Sequence, residues 1–587
     1  MLRQVLSSRL SGAGNDTQRM EIISTWILEN FDNFYSAFLN VPFQAKEAFE
    51  KQHHAASIKL SRYRLSLYNS HIHEMGPFLK AVMPSVASDS LIWDRIELSY
   101  LRLISSRYES DVAYAFMHSV RRMVYKDKWQ PVDYSLVRSK DLIDHFPPEL
   151  VQTFIIDNEL TDQHILAILQ LPTLNAPFRD DAHDAKKIAG KINVSLARHS
   201  ENNSALSRIE VVKAGFYRNR GCYIVGRMIL ENEDPKPIII ALINTPDGVI
   251  TDAVLTEQED AHNLFSSTLA NFHVTTTFYH ELNSFLFSIM PNRSLGLHYS
   301  TIGYNHLGKV AVLDELKQEL EKTQGKFDIA VGSRGTVAIG FAGPQSTYNL
   351  KVIRNHPTED YKWGEFEGIE SVMKKYGRVH EINRTGSMLD NIIYFNIALE
   401  QDLFSMELQE ELLQNASDTV SLQNDSIIFK YLIVQPRMTP LPIYFENADS
   451  GDIEHIIENL GDCIKNNAAA NIFNKDLDAR NYGVSHFRKV YLFDYDALEP
   501  FVDVKIRSNT ERFDGEEDIP DWYFEDGVIF LPEEIEVGMR IPHRELRHMF
   551  RQKHGELYST DYWEGLQQEL LADQVPVIKV YPDSCRV

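Results

Sequence analysis

Cysteine is scarce: Cys222, Cys463 and Cys585 are the only three in 587 residues. Three thiols cannot build a disulfide framework or a four-cysteine zinc site, and no catalytic-cysteine phosphatase loop is present. Long apolar runs are missing too. The longest obvious one, Ile238-Ile-Ile-Ala-Leu-Ile243, is far short of the roughly 20 residues a bilayer span needs. The opening stretch, Met1-Leu-Arg-Gln-Val-Leu-Ser-Ser-Arg9, lacks the apolar centre of a secretory signal. Basic residues are in deficit, 59 against 83 acidic, and the net charge of −24 argues against nucleic acid or an anionic membrane as main partner. There is no fixed repeat and no dense His/Asp cluster for a two-metal phosphatase. These absences predict a cytoplasmic protein, in which Asn193-Val-Ser and Asn383-Arg-Thr carry no glycosylation meaning.

With 43% hydrophobic and 24% charged residues the composition is globular, and the length calls for at least two domains. Ile23, Ile27, Phe31, Phe34 and Phe38 recur at helical steps. The same period recurs over 91–125 and around 150–171, with Pro147-Pro148 and Pro172 as breaks. His53-His54 and His71-Ile-His73 read as surface histidines, because helix positions i and i+2 face apart. Between 209 and 254 short apolar runs flank the turn Asn244-Thr-Pro-Asp-Gly248, which predicts a small antiparallel sheet, and helices are expected over 258–289. Nothing in this half carries reaction chemistry, so it reads as a regulatory or interaction module.

The second half does carry it. Asp476 is followed by Asn481 and, after an apolar strand pattern, by Asp494 and Asp496. An Asp-x-x-x-x-Asn loop feeding a strand that ends in Asp is how kinase-type folds meet a nucleotide triphosphate. The first Asp orients the attacking hydroxyl; Asn481 and Asp494 would hold magnesium or manganese. Either residue alone would be an ordinary surface-turn residue, and the spacing is what carries the reading. Upstream, Ala330-Val331-Gly332-Ser333-Arg334-Gly335-Thr336 places two glycines between strand-like flanks, so backbone N–H groups can approach phosphates. Lys351 follows inside a strand pattern, suited to the α- and β-phosphates of ATP or ADP. A helix over 363–376 offers Glu365, Glu367 and Glu370, one of which is expected to pair with Lys351. The strand 427–434 runs into Gln435-Pro-Arg, an interlobe hinge pattern, and a helix over 453–469 carries Glu458.

Several positions depart from ordinary kinases. Asn474-Lys475 precedes Asp476 where His-Arg is usual, Asp478 replaces the lysine two residues on, and Arg480 is the nearest cation. Asp496 replaces the glycine of Asp-Phe-Gly, and no Ala-Pro-Glu segment follows. A second carboxylate at 496 could take a metal or activate water, which hydrolysis needs and phosphoryl transfer does not. The stretch 514–522 is acidic and loop-like, and 540–554 reads as a basic amphipathic helix.

Val331-Gly-Ser-Arg-Gly335, Ala468-Ala-Ala-Asn-Ile-Phe473, Asn481-Tyr-Gly-Val484 and Asp494-Tyr-Asp496 together resemble the bacterial isocitrate dehydrogenase kinase/phosphatase family. The resemblance implies an α+β protein: a mostly helical regulatory domain with a small antiparallel sheet (1–308), then a bilobal protein-kinase-like domain (309–587). It implies a bifunctional enzyme that phosphorylates and dephosphorylates a serine of isocitrate dehydrogenase, setting flux between the tricarboxylic acid cycle and the glyoxylate bypass. It also implies ATPase side activity, adenine nucleotides such as AMP as effectors, and a homodimer as one open assembly state. It gives functional roles to Asp390 and Glu458, which composition alone leaves as a turn residue and a helix-face residue. A small-molecule kinase of the aminoglycoside-phosphotransferase type is the alternative, which would not require so large a first half. A pseudokinase scaffold is a third reading, and it predicts a lost lysine or metal ligand, whereas every polar part is present in order.

Overall fold

The computed structural model describes residues 2–125, 137, 142–157, 159–198, 205–231, 235–266, 271–330, 335–359, 366–381, 386–508 and 525–587. The acidic stretch 514–522, and Val331, Gly332, Ser333, Arg334 and Glu365, lie outside the described residues.

The fold is α+β, in two halves. The long helix Asp16–Glu50 is capped by the Asn15 side chain on the Gln18 amide and buries Ile23, Ile27, Phe31, Phe34 and Phe38 along one stripe. That stripe meets Tyr68 and Phe116 in an aromatic cluster, with the Phe34 and Tyr68 rings edge-on at 5.2 Å. Beside the helices stands a seven-stranded antiparallel sheet. Its central strands Gly221–Leu230 and Lys236–Thr245 are apolar at successive positions because both faces are covered. Val225, Ile239 and Ala241 face the helical core, while Ile224, Ile238 and Ile240 face a second core built on helix Asp181–Arg198.

Two local expectations fail here. Residues Val151–Ile155 form a strand paired with Leu206–Val212, not a helix. The alternation of Val151, Thr153 and Ile155 suits an edge strand, and pairing overrides the weak helical period. Residues 258–289 are not helical throughout, because the short strand His273–Val274 separates helices Gln258–Phe265 and Tyr279–Ile289.

The second half is bilobal. Its small lobe is an antiparallel sheet in the order Ile392–Glu400, Ser426–Pro436, Tyr348–Ile353, Ala338–Ala342, Asp328–Ile329, with Val420–Gln423 also paired to Ser426–Pro436. Helix Ile369–Glu381 buries Val372, Met373, Tyr376 and Val379 in a core shared by Ile353, Ile393 and Ile433 of this sheet and the large lobe. Helix Asn305–Thr323 buries Val312, Leu313, Leu316 and Leu320 against Phe341, Leu350 and Tyr394 of the sheet, whereas its Leu307 belongs to the first-half core. The large lobe follows, with the long helix Ser450–Ala469 at its centre. The expected helix over 540–554 is shorter. Arg540 takes a left-handed backbone (φ 49) that ends Ile535–Met539, and a new helix runs Arg544–Lys553.

The halves are joined close to the Asp476–Asp496 segment. The hairpin Tyr482–Val484/Val490–Leu492 leads directly to Asp494. Its tip docks on helix Gln258–Phe265: Arg488 pairs with Glu259 at 2.8 Å and the Phe487 ring stacks on His262 at 4.0 Å. The chain end returns to the first-half sheet, where Arg586 pairs with Asp252 at 2.8 Å.

Candidate active site

Lys351 sits mid-strand, where Lys351 faces Ile433 on one side and Gly340 on the other. Its ammonium donates to the Phe493 carbonyl at 3.1 Å and lies 4.9 Å from the Phe493 ring centre. Burial lowers its pKa, against the pull of Asp494 and Asp496. The buried Gln435 side chain donates to the same carbonyl at 3.1 Å. The residue preceding Asp494 is thus gripped from two small-lobe strands.

Ala330 donates its amide to Gly340, and Gly335 stands where a side chain would meet the Ala338 carbonyl at 2.8 Å. That close approach explains the glycine. The Thr336 carbonyl receives the Thr358 amide at 3.0 Å, leaving the ends of the glycine loop fixed to their strands.

The catalytic-type loop is self-supporting. Asn474, buried, accepts the Asp476 amide at 3.0 Å, so asparagine replaces the usual histidine as loop prop. The Asn481 amide group donates to the Asp476 carbonyl at 2.9 Å and to its carboxylate at 3.0 Å, and the Phe493 amide returns to the Asn481 carbonyl at 3.1 Å. Asp478 is almost wholly buried and caps the short turn Ala479–Asn481. It takes both Arg480 (2.8 Å) and Arg540 (3.4 Å). Burial pushes the Asp478 carboxyl up, but the bonds from Arg480 outweigh it and hold it low. The lysine-to-Asp change at 478 therefore orients Arg480 beside Asp476 instead of leaving the loop without a cation.

Asp494 accepts the Tyr376 hydroxyl at 3.2 Å, and the Asp496 carbonyl accepts Lys375 at 2.9 Å. Burial, then Asp494 and Asp476, push the Asp496 carboxyl up to about 7, with Lys351 and Lys375 opposing. Three carboxylates against few cations is a donor set that fits a bound divalent cation. Among the described residues no three His, Cys, Asp or Glu side chains form a metal cage. An Asp-plus-Asn site completed by phosphate oxygens does not require one.

The expected glutamate–lysine pair is not formed by any described glutamate. Glu370 goes to Lys430 at 2.8 Å and to Tyr431, and Glu367 goes to Ser371. Two predicted residues lie apart from the cleft set. Asp390 pairs with Arg293 of the first half at 3.5 Å, and burial pushes its carboxyl up to about 6 against that arginine. Glu458 pairs with Lys579 at 3.0 Å and Lys553 at 3.6 Å, on the face of its helix toward the C-terminal segment. Tyr376, Lys375, Arg293 and Arg540 were not found by sequence reasoning. Their partners are distant in the chain, and only Asp478, an acid where lysine is usual, hinted at a nearby arginine.

A bilobal fold with a strand lysine, a glycine loop and an Asp-Asn-Asp set across the lobes defines a protein-kinase-like enzyme. Residues 325–583 match the family model described as isocitrate dehydrogenase kinase/phosphatase (AceK) kinase domain, and residues 24–324 match that of the family's regulatory domain. A protein of Rhodopseudomonas palustris (strain HaA2) named isocitrate dehydrogenase kinase/phosphatase is 44% identical over 96% of this chain and 92% of its own. Like-named proteins of Anaeromyxobacter sp. (strain Fw109-5) and Idiomarina loihiensis are 28% and 26% identical, over 95% and 96% of this chain and 96% and 98% of their own. The chain belongs to the isocitrate dehydrogenase kinase/phosphatase family. Among the described residues no helix is long and apolar enough to cross a membrane.

Proposed function

We propose that this chain transfers the γ-phosphoryl of ATP to a serine of isocitrate dehydrogenase and removes it again in the same cleft, setting flux between the tricarboxylic acid cycle and the glyoxylate bypass. The carrying observation is that Lys351, Asp476, Asn481, Asp494 and Asp496 share one electrostatic site between the lobes. Lys351 would leave the Phe493 carbonyl for the α- and β-phosphates, with Gly335 and Thr336 beside them and Gln435 at the back of the nucleotide slot. A bound magnesium or manganese ion, held by Asn481 and Asp494, would neutralise charge on the phosphates. Asp476 orients the serine hydroxyl and takes its proton, while Arg480 steadies the transferred group. In hydrolysis a water attacks phosphorus as the serine O–P bond breaks; Asp496 takes the water's proton, which then passes by way of Asp476 to the departing serine oxygen.

Asp496 rather than Asp390 is assigned to the water, because Asp496 is the carboxylate that interacts with Asp476, Asp494 and Lys351. Asp390, bound to Arg293, joins the halves, and Glu458 anchors the C-terminal segment. A cavity of about 960 Å3 opens beside Asp390, lined by Phe34, Tyr68, His306, Arg64, Arg122 and Lys309. Aromatic faces with cations suit an effector nucleotide such as AMP. We infer a division between regulatory and catalytic halves at 308/309; Leu307 in the first core and Val312 in the small-lobe core support it, while Leu297 also reaches the small-lobe core and the family models meet at 324/325. Mass spectrometry of purified isocitrate dehydrogenase after incubation with this protein and ATP tests the function. One added serine phosphate, lost again when ATP is depleted and ADP supplied, is expected. Unmodified isocitrate dehydrogenase would refute the reading.

A further inference from the structure

Helix Ile369–Glu381 reaches the cleft by a route that an ordinary kinase does not use. The glutamates described on and before it point elsewhere, Glu370 to Lys430 and Glu367 to Ser371. Two consecutive residues of it, half-buried Lys375 and buried Tyr376, contact the Asp494-Tyr-Asp496 segment instead. The Tyr376 hydroxyl donates to the Asp494 carboxylate at 3.2 Å, and Lys375 donates to the Asp496 carbonyl at 2.9 Å. Tyr376 is 1% exposed, its ring lies 5.0 Å from that of Tyr495, and the Tyr495 backbone hydrogen-bonds its phenol.

We propose that Tyr376, supported by Lys375, positions Asp494 for cation binding, so that the helix sets the aspartate directly rather than through a glutamate–lysine pair. The inference rests on the reading of Asp494 as a cation ligand. A carboxylate that ligates through one oxygen binds best when its other oxygen is held, because rotation about its last bond is then removed before the ion arrives. Among the described residues Tyr376 is the one side chain that hydrogen-bonds this carboxylate, and it does so at Oδ1. A phenol suits the task better than a cation would, because it donates without cancelling the negative charge that the ion needs. Lys375, one residue back, fixes the backbone two residues past Asp494, so both ends of the short segment follow one helix turn.

The test is Mn2+ binding to the full chain with ADP present, followed by electron paramagnetic resonance, beside ADP binding in EDTA by calorimetry. Tyr376→Phe keeps the ring against Tyr495 and removes only the donor. Its Mn2+ Kd should rise on the order of 10-fold, the usual cost of losing an outer-shell hydrogen bond to a metal ligand. Its ADP Kd in EDTA should not move, which a merely structural role would not guarantee. Lys375→Met, on a partly exposed face, is the second variant, and its Mn2+ Kd should rise roughly two- to five-fold. A Tyr376→Phe protein that binds Mn2+ as tightly as the parent overturns the inference, as does an unchanged Lys375→Met protein should Tyr376→Phe fail to fold. Asp494→Asn in the same assay separates the two levels. Lost Mn2+ binding there keeps the underlying reading, and normal binding there removes the reading and this inference with it.

Discussion

Replacing Asp496 by asparagine removes one of three carboxylates whose mutual repulsion Lys351 and Lys375 only partly offset. In the folded protein burial, Asp494 and Asp476 raise its carboxyl from the ordinary 3.8 to about 7. A carboxyl raised on folding favours the folded state while it is protonated, below the unfolded value near 4, and loses that advantage as pH rises toward 7. Charging Asp496 is therefore a cost that grows across pH 4 to 7 and is constant above. Three units at about 1.4 kcal/mol each set a ceiling of about 4 kcal/mol. Partial exposure, and sharing of the repulsion with Asp494 and Asp476, reduce this to about 1–2 kcal/mol. Asp496→Asn should thus melt a few degrees above the parent at pH 8 in EDTA, and above it by about a third of that at pH 5. Adding magnesium with ADP should shrink the difference, since the ion relieves the same repulsion in the parent. Calorimetric melts at four pH values between 5 and 8 measure it. A stabilisation that is equal at all pH values, or larger at pH 5, would refute the electrostatic account of this cleft.

Asp494→Asn keeps size but removes the charge that would meet the cation, so kinase and ATPase turnover at saturating magnesium should fall by about 100-fold or more. Arg293→Met leaves Asp390 buried without its cation. Because burial already raises that carboxyl to about 6, the variant should lose about 2–4 kcal/mol at pH 8 and much less at pH 5, read by thermal melts. A fragment 309–587 should fold and bind an ATP analogue by calorimetry, but 325–587 should not. Removing Val312, Leu313, Leu316 and Leu320 strips four core side chains from the small-lobe sheet, at about 1.5–3 kcal/mol each, which matches a domain's whole stability.

Much of the catalytic half is readable from the chain because its parts are local. Asp476 and Asn481 share one loop, Asp494 ends the hairpin that follows, and Lys351 sits in an alternating strand, so spacing alone names them. The same logic places helices along 23–38 and strands along 222–254, where burial enforces the period. It fails where tertiary pairing decides: Val151–Ile155 joins a sheet edge despite a helical pattern, and Arg540 stops a helix by its backbone conformation. It also fails across the halves. No local pattern foretells that Arg293 meets Asp390, that Phe487 stacks on His262, or that helix Ile369–Glu381 offers Tyr376 to the cleft. Asp390 shows the limit most plainly. The family resemblance marks it as important, but only its contact with Arg293 shows which way it faces.

The central claim is that two opposed activities share one nucleotide site, and phosphate release from phospho-isocitrate dehydrogenase by Lys351→Ala and Asp494→Asn tests it most directly. Both variants, shown to be folded by their melts, should lose kinase and phosphatase activity together, and the parent should release phosphate only with magnesium and adenine nucleotide present. Either variant releasing phosphate at the parent's rate without nucleotide, while lacking kinase activity, would contradict the shared site and require a second catalytic centre.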